Sequence, residues 1–134
     1  MARLPMAHRN VKPDAAKSLL EGGEGWIYLD VRTEEEFRDA HAVGARNIPV
    51  MVRDATGRMA PNPGFVAQAK KMFPVDARLL VGCASGVRSL RACDLLAAEG
   101  YAHLANLSSG FHGRHDATGR VVEPGWQACG YPCE

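Results

Sequence analysis

The sequence of 134 residues lacks long hydrophobic runs, and neither sign of charge is in excess. No apolar run approaches the roughly 20 residues that a membrane-spanning helix needs. Sixteen Lys and Arg residues against fifteen Asp and Glu residues give a formal net charge of +1. No overall field therefore favours a nucleic acid or an anionic membrane surface. We expect neither of them as a partner.

The N-terminal segment also lacks the apolar core of a signal peptide. Arg3, Pro5, His8 and Arg9 interrupt it, whereas a signal peptide has an uninterrupted apolar stretch of about 7–15 residues. We therefore expect a cytoplasmic protein.

Cysteines are few and confined to the C-terminal half of the chain, at Cys83, Cys93, Cys129 and Cys133. A secreted scaffold held together by disulfides would be shorter and would have cysteines throughout the chain. We expect reduced thiols, and each one needs its own explanation.

Short apolar segments alternate with helical patterns, which favours an α/β fold with a mainly parallel sheet. The length suits a single domain over residues 1–134, with a loop-rich C-terminal segment at 108–134 and no internal repeat. We predict strands in segments 26–30, 45–50, 78–83 and 102–107. Helices are predicted in segments 14–23, 34–40, 64–73 and 89–100, and a loop at 53–64. Thr33 and Glu36 form a capping-box pattern before the second helix.

The segment RLLVGC, residues 78–83, is the most continuous apolar strand, which favours a central position in the sheet. Cys83 then lies at its carboxyl end, where open parallel sheets bind ligands and helix N-termini point. The next helix is expected to begin near Arg88 or Ser89, with its unpaired N–H groups directed at residues 83–88.

The loop at residues 83–88 is built from small residues, so its backbone can curl around one anionic centre. Gly86 can adopt the positive φ that converging N–H groups often need. A helix N-terminus and the nearby Arg88 favour the thiolate form of a cysteine, which is the nucleophile. We therefore expect a reactive, solvent-accessible Cys83. The N–H groups expected to bind substrate belong to Ala84, Ser85, Gly86, Val87 and Arg88.

Two chemistries use a cysteine in such a loop. Phosphatases and arsenate reductases must fit a tetrahedral oxyanion, whereas sulfurtransferases need room for only one extra sulfur atom. Tyrosine phosphatases place five residues between Cys and Arg, and this sequence places four between Cys83 and Arg88. The shorter loop leaves less room for a phosphate, so the spacing favours sulfur transfer.

The segment CASGVRS (residues 83–89) resembles the active-site loop of the rhodanese family, the thiosulfate sulfurtransferases. The similarity extends to LDVRTEEEF (29–37), HAVGARNIP (41–49) and the final GWQACGYP (125–132). LSSGFHGRH only partly keeps the family's order of glycines and tryptophan. The resemblance implies a single domain with a five-stranded, mainly parallel sheet flanked by helices on both faces.

The resemblance also implies a chemistry. Cys83 would take a sulfur atom from thiosulfate as a persulfide and pass it to cyanide, a small thiol or a protein thiol, without metal or organic cofactor. Asp30 and Arg32 would be supporting residues beside the site, or only an ion pair that orders the strand end. Glu36 is interpreted as a helix cap. A sulfur-carrier module that serves one protein partner is the alternative from another class.

The remaining candidates have structural interpretations. Cys93 is expected in the core, because it shares a helical stripe with other apolar residues. His41 is interpreted as a packed, hydrogen-bonded histidine, and Trp26 and Trp126 as core. The loop at 53–63 would form one wall of the site.

The C-terminal cysteines leave alternatives open. Cys129 and Cys133 with His112 and His115 have a superficial zinc-site spacing, although it departs from the usual C-x2-C. A Cys129–Cys133 disulfide or redox pair is a second alternative, and incidental thiols are the third.

Overall fold

The structure, a computed structural model, describes residues 8–134 and is built around a parallel sheet. In chain order the elements are β1 (Arg9–Val11), α1 (Pro13–Glu21), β2 (Ile27–Asp30), α2 (Glu34–Asp39), β3 (Arg46–Asn47), β4 (Met51–Arg53), β5 (Met59–Pro61), α3 (Phe65–Met72), β6 (Arg78–Gly82), α4 (Val87–Ala98), β7 (His103–Leu107), β8 (Arg114–His115) and β9 (Val121–Glu123). The prediction that the N-terminal segment is not a signal peptide depends largely on residues 1–7, which lie outside the described residues.

The central sheet has five strands in the order β1-β7-β6-β2-β3, and every pair is parallel. Strand β6 is in the middle, as its continuous apolar sequence predicts. The short β1 was not predicted, because a three-residue strand with two polar residues has little sequence signal. It pairs with β7 at the sheet edge.

Successive residues of a strand point to opposite faces of the sheet. Because the residues of β6 are apolar on both faces, helices cover both of them. Leu79 and Val81 of β6 pack with Phe65 of α3 and Leu96 of α4. Leu80 between them packs on the other face, in a second cluster with Ala16 of α1 and the C-terminal residues Phe111 and Trp126. Both cores therefore hold the end of β6 in place.

Two antiparallel hairpins, β4–β5 and β8–β9, correct the prediction of irregular loops. The pentapeptide DATGR forms both turns, at residues 54–58 and 116–120, so the sequence contains one short repeat, contrary to prediction. In each turn one aspartate Oδ1 accepts from the N–H and hydroxyl of the threonine and from the N–H of the arginine. The same five residues thus build the same rigid turn twice.

The helix ends agree with the local sequence. Helix α1 begins after Lys12, which provides no side-chain cap. Helix α2 has the predicted capping box: Thr33 Oγ1 accepts from the Glu36 N–H, and the Glu36 carboxylate accepts from the Thr33 N–H. Within residues 8–134, no helix has the length and apolar character to cross a membrane.

Candidate active site

Cys83 directly follows β6 and so lies at the carboxyl end of the central strand. Helix α4 begins at Val87, slightly earlier than predicted, and Gly86 is its N-cap residue with φ of 100°. Glycine is needed there for two reasons. A positive φ is unfavourable for other residues, and a methyl group on Gly86 would overlap the carbonyl group of Ser108.

The sulfur of Cys83 lies between a backbone amide and a hydroxyl group. The Gly86 N–H donates to Sγ at 3.1 Å, and Sγ is 3.4 Å from Ser89 Oγ. Ser89 is fully buried and was not among the predicted site residues. The sequence feature that could have identified Ser89 is its position in the first turn of the helix that follows the loop.

One expectation about this sulfur is wrong. Cys83 is only 1% exposed, so the thiol is not accessible in this conformation. Among the described residues, the Gly86 N–H is the backbone donor that bonds to Sγ, and substrate binding by the N–H groups of residues 84–88 stays a prediction. The physical reason for the burial is that Cys83 packs in the core cluster that contains Val81 and Cys93.

The segment after β7 covers the loop from the other side. The Phe111 N–H donates to the Cys83 carbonyl at 2.7 Å, and the His112 N–H donates to the Ala84 carbonyl at 2.9 Å. A methyl group on Gly110 would lie 2.7 Å from the Cys83 carbonyl oxygen, so this close approach also needs glycine. Burial lowers the pKa of the His112 imidazole, and the positive Arg32 nearby lowers it further.

Arg88 forms a two-point ion pair with Glu36, at 2.7 and 3.0 Å. Glu36 is therefore more than the predicted helix cap: the same carboxylate closes the capping box of α2 and fixes the arginine of the loop. Hydrogen bonds from Arg88 lower the pKa of Glu36 to about 2. The bonded carboxylate likewise raises the pKa of Arg88.

The variant Glu36→Gln tests this ion pair through its pH dependence. A carboxylate with a depressed pKa stabilises the fold above its unfolded value, near 4.5, and this stabilisation is lost as pH falls toward about 2. We expect Glu36→Gln to cost about 1 kcal/mol at neutral pH, because the pair is partly exposed. Urea unfolding at pH 3–6 should show the wild-type advantage shrinking below pH 4.5. An advantage that stays constant over this range would contradict the assignment.

Asp30 and Arg32 form a buried ion pair at the end of β2. Both side chains are 1% exposed, and the closest N···O distance is 2.8 Å. Arg32 also donates to the Ala40 carbonyl and lies over the ring of Phe111, 4.4 Å from its centre. The pair thus links β2 to the segment that packs on the loop at residues 83–88. These contacts support a structural role for Asp30 and Arg32. The hydrogen-bond partners of Cys83 Sγ are Gly86 and Ser89 instead.

The other cysteines take no part in this arrangement. Cys93 is buried in α4 as predicted, and burial raises its pKa to about 12. Cys129 and Cys133 are free thiols rather than a disulfide. Within residues 8–134, no group of three or more His, Cys, Asp or Glu side chains could hold a metal ion. The zinc alternative therefore has no structural support.

The remaining aromatic candidates are mostly in structural roles. His41 Nδ1 donates to the Phe37 carbonyl at 2.6 Å, and its ring stacks on Phe37. Trp126 is buried, whereas Trp26 is only partly buried, with Arg9 over its ring.

An open pocket of about 400 Å³ lies beside Arg88, at the end of the loop at residues 83–88. Its lining comes from the start of α2 (Thr33, Glu35, Glu36), from the β4–β5 hairpin (Met51, Arg53, Met59) and from Arg88. Residues 53–63, predicted as a loop, form most of the β4–β5 hairpin, and Arg53 and Met59 line this pocket. That the hairpin forms a wall of the active site stays a prediction.

Sequence comparisons place this chain in a known family. Residues 12–117 match the family model described as Rhodanese-like domain. The chain belongs to the rhodanese family. Among curated relatives of this rhodanese-like chain, Protein HIGH ARSENIC CONTENT 1, mitochondrial, of Arabidopsis thaliana is 43% identical over 76% of the chain and 59% of that protein. Thiosulfate sulfurtransferase 16, chloroplastic, of the same plant is 39% identical over 83% of the chain and 90% of that protein.

The fold agrees with solved structures of the family. The crystal structure of Rv0390 from M. tuberculosis matches with a TM-score of 0.77, over 93% of this chain and 96% of that one, at 24% sequence identity. At that identity the match shows the fold alone. The predicted α/β rhodanese fold with a five-stranded parallel sheet is confirmed.

Proposed function

We propose that this rhodanese-like protein is a sulfurtransferase that moves sulfane sulfur from thiosulfate, or a similar donor, through a persulfide on Cys83. One observation carries the proposal: the loop from Cys83 to Arg88 joins the central strand to α4, and the Gly86 N–H donates to the sulfur at 3.1 Å. A backbone N–H at a helix N-terminus stabilises negative charge on sulfur. Family membership and a relative named Thiosulfate sulfurtransferase 16 support the same chemistry.

The proposed reaction is a double displacement. The Cys83 thiolate attacks the outer sulfur of thiosulfate, the S–S bond of the donor breaks, and its electron pair leaves with sulfite. Cyanide, a small thiol or a protein thiol then attacks the outer sulfur of the persulfide. The second S–S bond breaks and returns Cys83 to the thiolate. Ser89 Oγ, at 3.4 Å, can donate a hydrogen bond to the sulfur in either form.

Access to the sulfur is a required step in this proposal. Because Cys83 is 1% exposed, the donor reaches it only after the loop opens or the cysteine side chain rotates. The two-point ion pair between Arg88 and Glu36 restrains one end of the loop, and the backbone bond from His112 to Ala84 restrains the other.

Steady-state release of sulfite from thiosulfate, with cyanide as acceptor, tests the proposal. We expect turnover with cyanide and no release of phosphate from an aryl phosphate, since four residues between Cys83 and Arg88 leave little room for a tetrahedral ester. A single turnover without steady-state release would instead indicate the sulfur-carrier module that serves a protein partner. Absence of any sulfite, with release of phosphate, would contradict sulfur transfer.

Arsenate reduction is a second candidate function. It is favoured by the relative named HIGH ARSENIC CONTENT 1, which is 43% identical to this chain. The short loop counts against it, because arsenate is a tetrahedral oxyanion like phosphate. Formation of arsenite from arsenate in the presence of a thiol reductant distinguishes this candidate from sulfur transfer.

A further inference from the structure

Both polar partners of the Cys83 sulfur belong to the start of α4. Gly86, the N-cap residue, donates its N–H to Sγ at 3.1 Å, and Ser89 Oγ in the first turn lies 3.4 Å from Sγ. Arg88 lies between these two partners in the sequence. A movement that takes Gly86 and Ser89 away from the sulfur therefore also moves Arg88.

Two sets of contacts hold the loop, and they act on different parts of it. The segment after β7 binds the carbonyl groups of Cys83 and Ala84 through backbone N–H groups, at 2.7 and 2.9 Å. Within residues 8–134, the pair of Arg88 with Glu36 is the one side-chain hydrogen-bonded link between residues 84–88 and another element. Release of this pair thus frees the start of α4 while Cys83 stays anchored.

The start of α4 has little apolar packing to oppose such a movement. Val87 is 71% exposed, and Ser85 and Arg88 are only partly buried. Segments with few buried apolar contacts open at low free energy. The ion pair of Arg88 with Glu36 is therefore the main polar restraint on this turn.

Protonation does not open the pair at neutral pH, because hydrogen bonds from Arg88 lower the pKa of Glu36 to about 2. A competing anion is the alternative. Both side chains are partly exposed, so a solute can reach the guanidinium group. An oxyanion such as the sulfonate end of thiosulfate presents two oxygens to a guanidinium group, as the Glu36 carboxylate does.

We propose that Glu36 controls access to Cys83. Its pair with Arg88 keeps the start of α4 over the sulfur, and the oxyanion group of the donor replaces Glu36 on Arg88 and releases this turn. Glu36 acts through Arg88 and is thus a positioning residue that favours donors with an oxyanion group over uncharged ones. The inference rests on the proposed function for the identity of the donor, whereas the control of access is independent of it.

Alkylation of Cys83 by iodoacetamide, an uncharged reagent, measures this access directly. Peptide mass spectrometry distinguishes Cys83 from the other three cysteines. The rate is followed as a function of pH, and the limiting rate at high pH is compared between proteins, so that a change in the pKa of the thiol does not contribute. Sulfate is the unreactive oxyanion, and chloride at the same ionic strength is its control.

We expect Glu36→Gln to raise the limiting rate about fivefold, since it removes a partly exposed two-point ion pair. Sulfate should raise the rate of the wild type in a saturable manner, toward the value for Glu36→Gln. Arg88→Met should also be alkylated faster than wild type but should not respond to sulfate, because it lacks the group that binds the anion.

Thr33→Ala is the matched control. It removes the threonine side chain from the capping box of α2, with the loss of stability expected for an N-cap residue. The two-point contact of Glu36 with Arg88 does not involve Thr33. We expect the wild-type alkylation rate and the wild-type response to sulfate.

Three results would overturn the inference. Equal limiting rates in wild type and Glu36→Gln would show that the sulfur is reached by rotation of its own side chain. Equal acceleration in Thr33→Ala would show that a general loss of stability is the cause. A wild-type rate that does not respond to sulfate would rule out the exchange on Arg88. Alkylation needs no sulfur transfer, so absence of sulfite release from thiosulfate would contradict the proposed function alone.

Discussion

Cys83→Ser should abolish sulfite release from thiosulfate, with kcat at least about a thousandfold lower, while the fold is kept. A serine hydroxyl stays protonated at neutral pH and cannot hold a sulfane sulfur as a persulfide. Its oxygen can still accept the Gly86 N–H and bond to Ser89, so the buried site stays satisfied. We expect a melting temperature within about 4 °C of wild type, since 1 kcal/mol is worth about that much at this size.

Two other cysteines provide the controls for this variant. Cys93→Ser places a hydroxyl in the apolar core and should lower stability by about 1–3 kcal/mol while turnover by the folded protein persists. Cys133→Ser changes an exposed thiol and should alter neither stability nor turnover. Residual activity in Cys83→Ser, or its loss in Cys133→Ser, would place the nucleophile elsewhere.

Gly86→Ala is expected to have the second largest effect, on stability and activity together. The φ of 100° costs a non-glycine residue about 1–2 kcal/mol. The added methyl group would lie 2.9 Å from the Ser108 carbonyl carbon, so the backbone of the loop must shift. We expect a loss of about 2–5 kcal/mol in the free energy of unfolding. Turnover should fall about a hundredfold or more, since a displacement of 1 Å can have that effect.

Gly119→Ala separates backbone strain from steric overlap. Gly119 has a similar φ of 85°, in the turn of the β8–β9 hairpin, but an added methyl group would meet nothing within 4 Å. We expect a loss of only about 1–2 kcal/mol and wild-type turnover. Denaturant unfolding and sulfite release measured on both variants decide the matter. Equal effects in the two variants would show that the contact with Ser108 is unimportant.

The sequence predicted the features that depend on local pattern. The continuous apolar run of β6 placed Cys83 at the end of the central strand, because a strand buried on both faces needs apolar residues on both sides. The capping box of Thr33 and Glu36 was predicted because both partners lie within one helical turn. The order and spacing of the active-site loop predicted the family.

The features that were missed depend on contacts between distant residues. Glu36 and Arg88 are 52 positions apart, and no local pattern shows that they pair. The burial of Cys83 results from its packing in a core cluster whose members come from distant parts of the chain, such as Leu29 and Phe65. The hairpins have strands of two or three residues, too short for alternation to be recognised.

The most direct test is to locate the transferred sulfur. The protein is incubated with thiosulfate, freed of excess donor and examined by intact-mass and peptide mass spectrometry. We predict one added sulfur atom on the peptide that contains Cys83, removable by a thiol reductant and absent from Cys83→Ser. An unmodified Cys83, or a sulfur found instead on Cys129 or Cys133, would contradict the account.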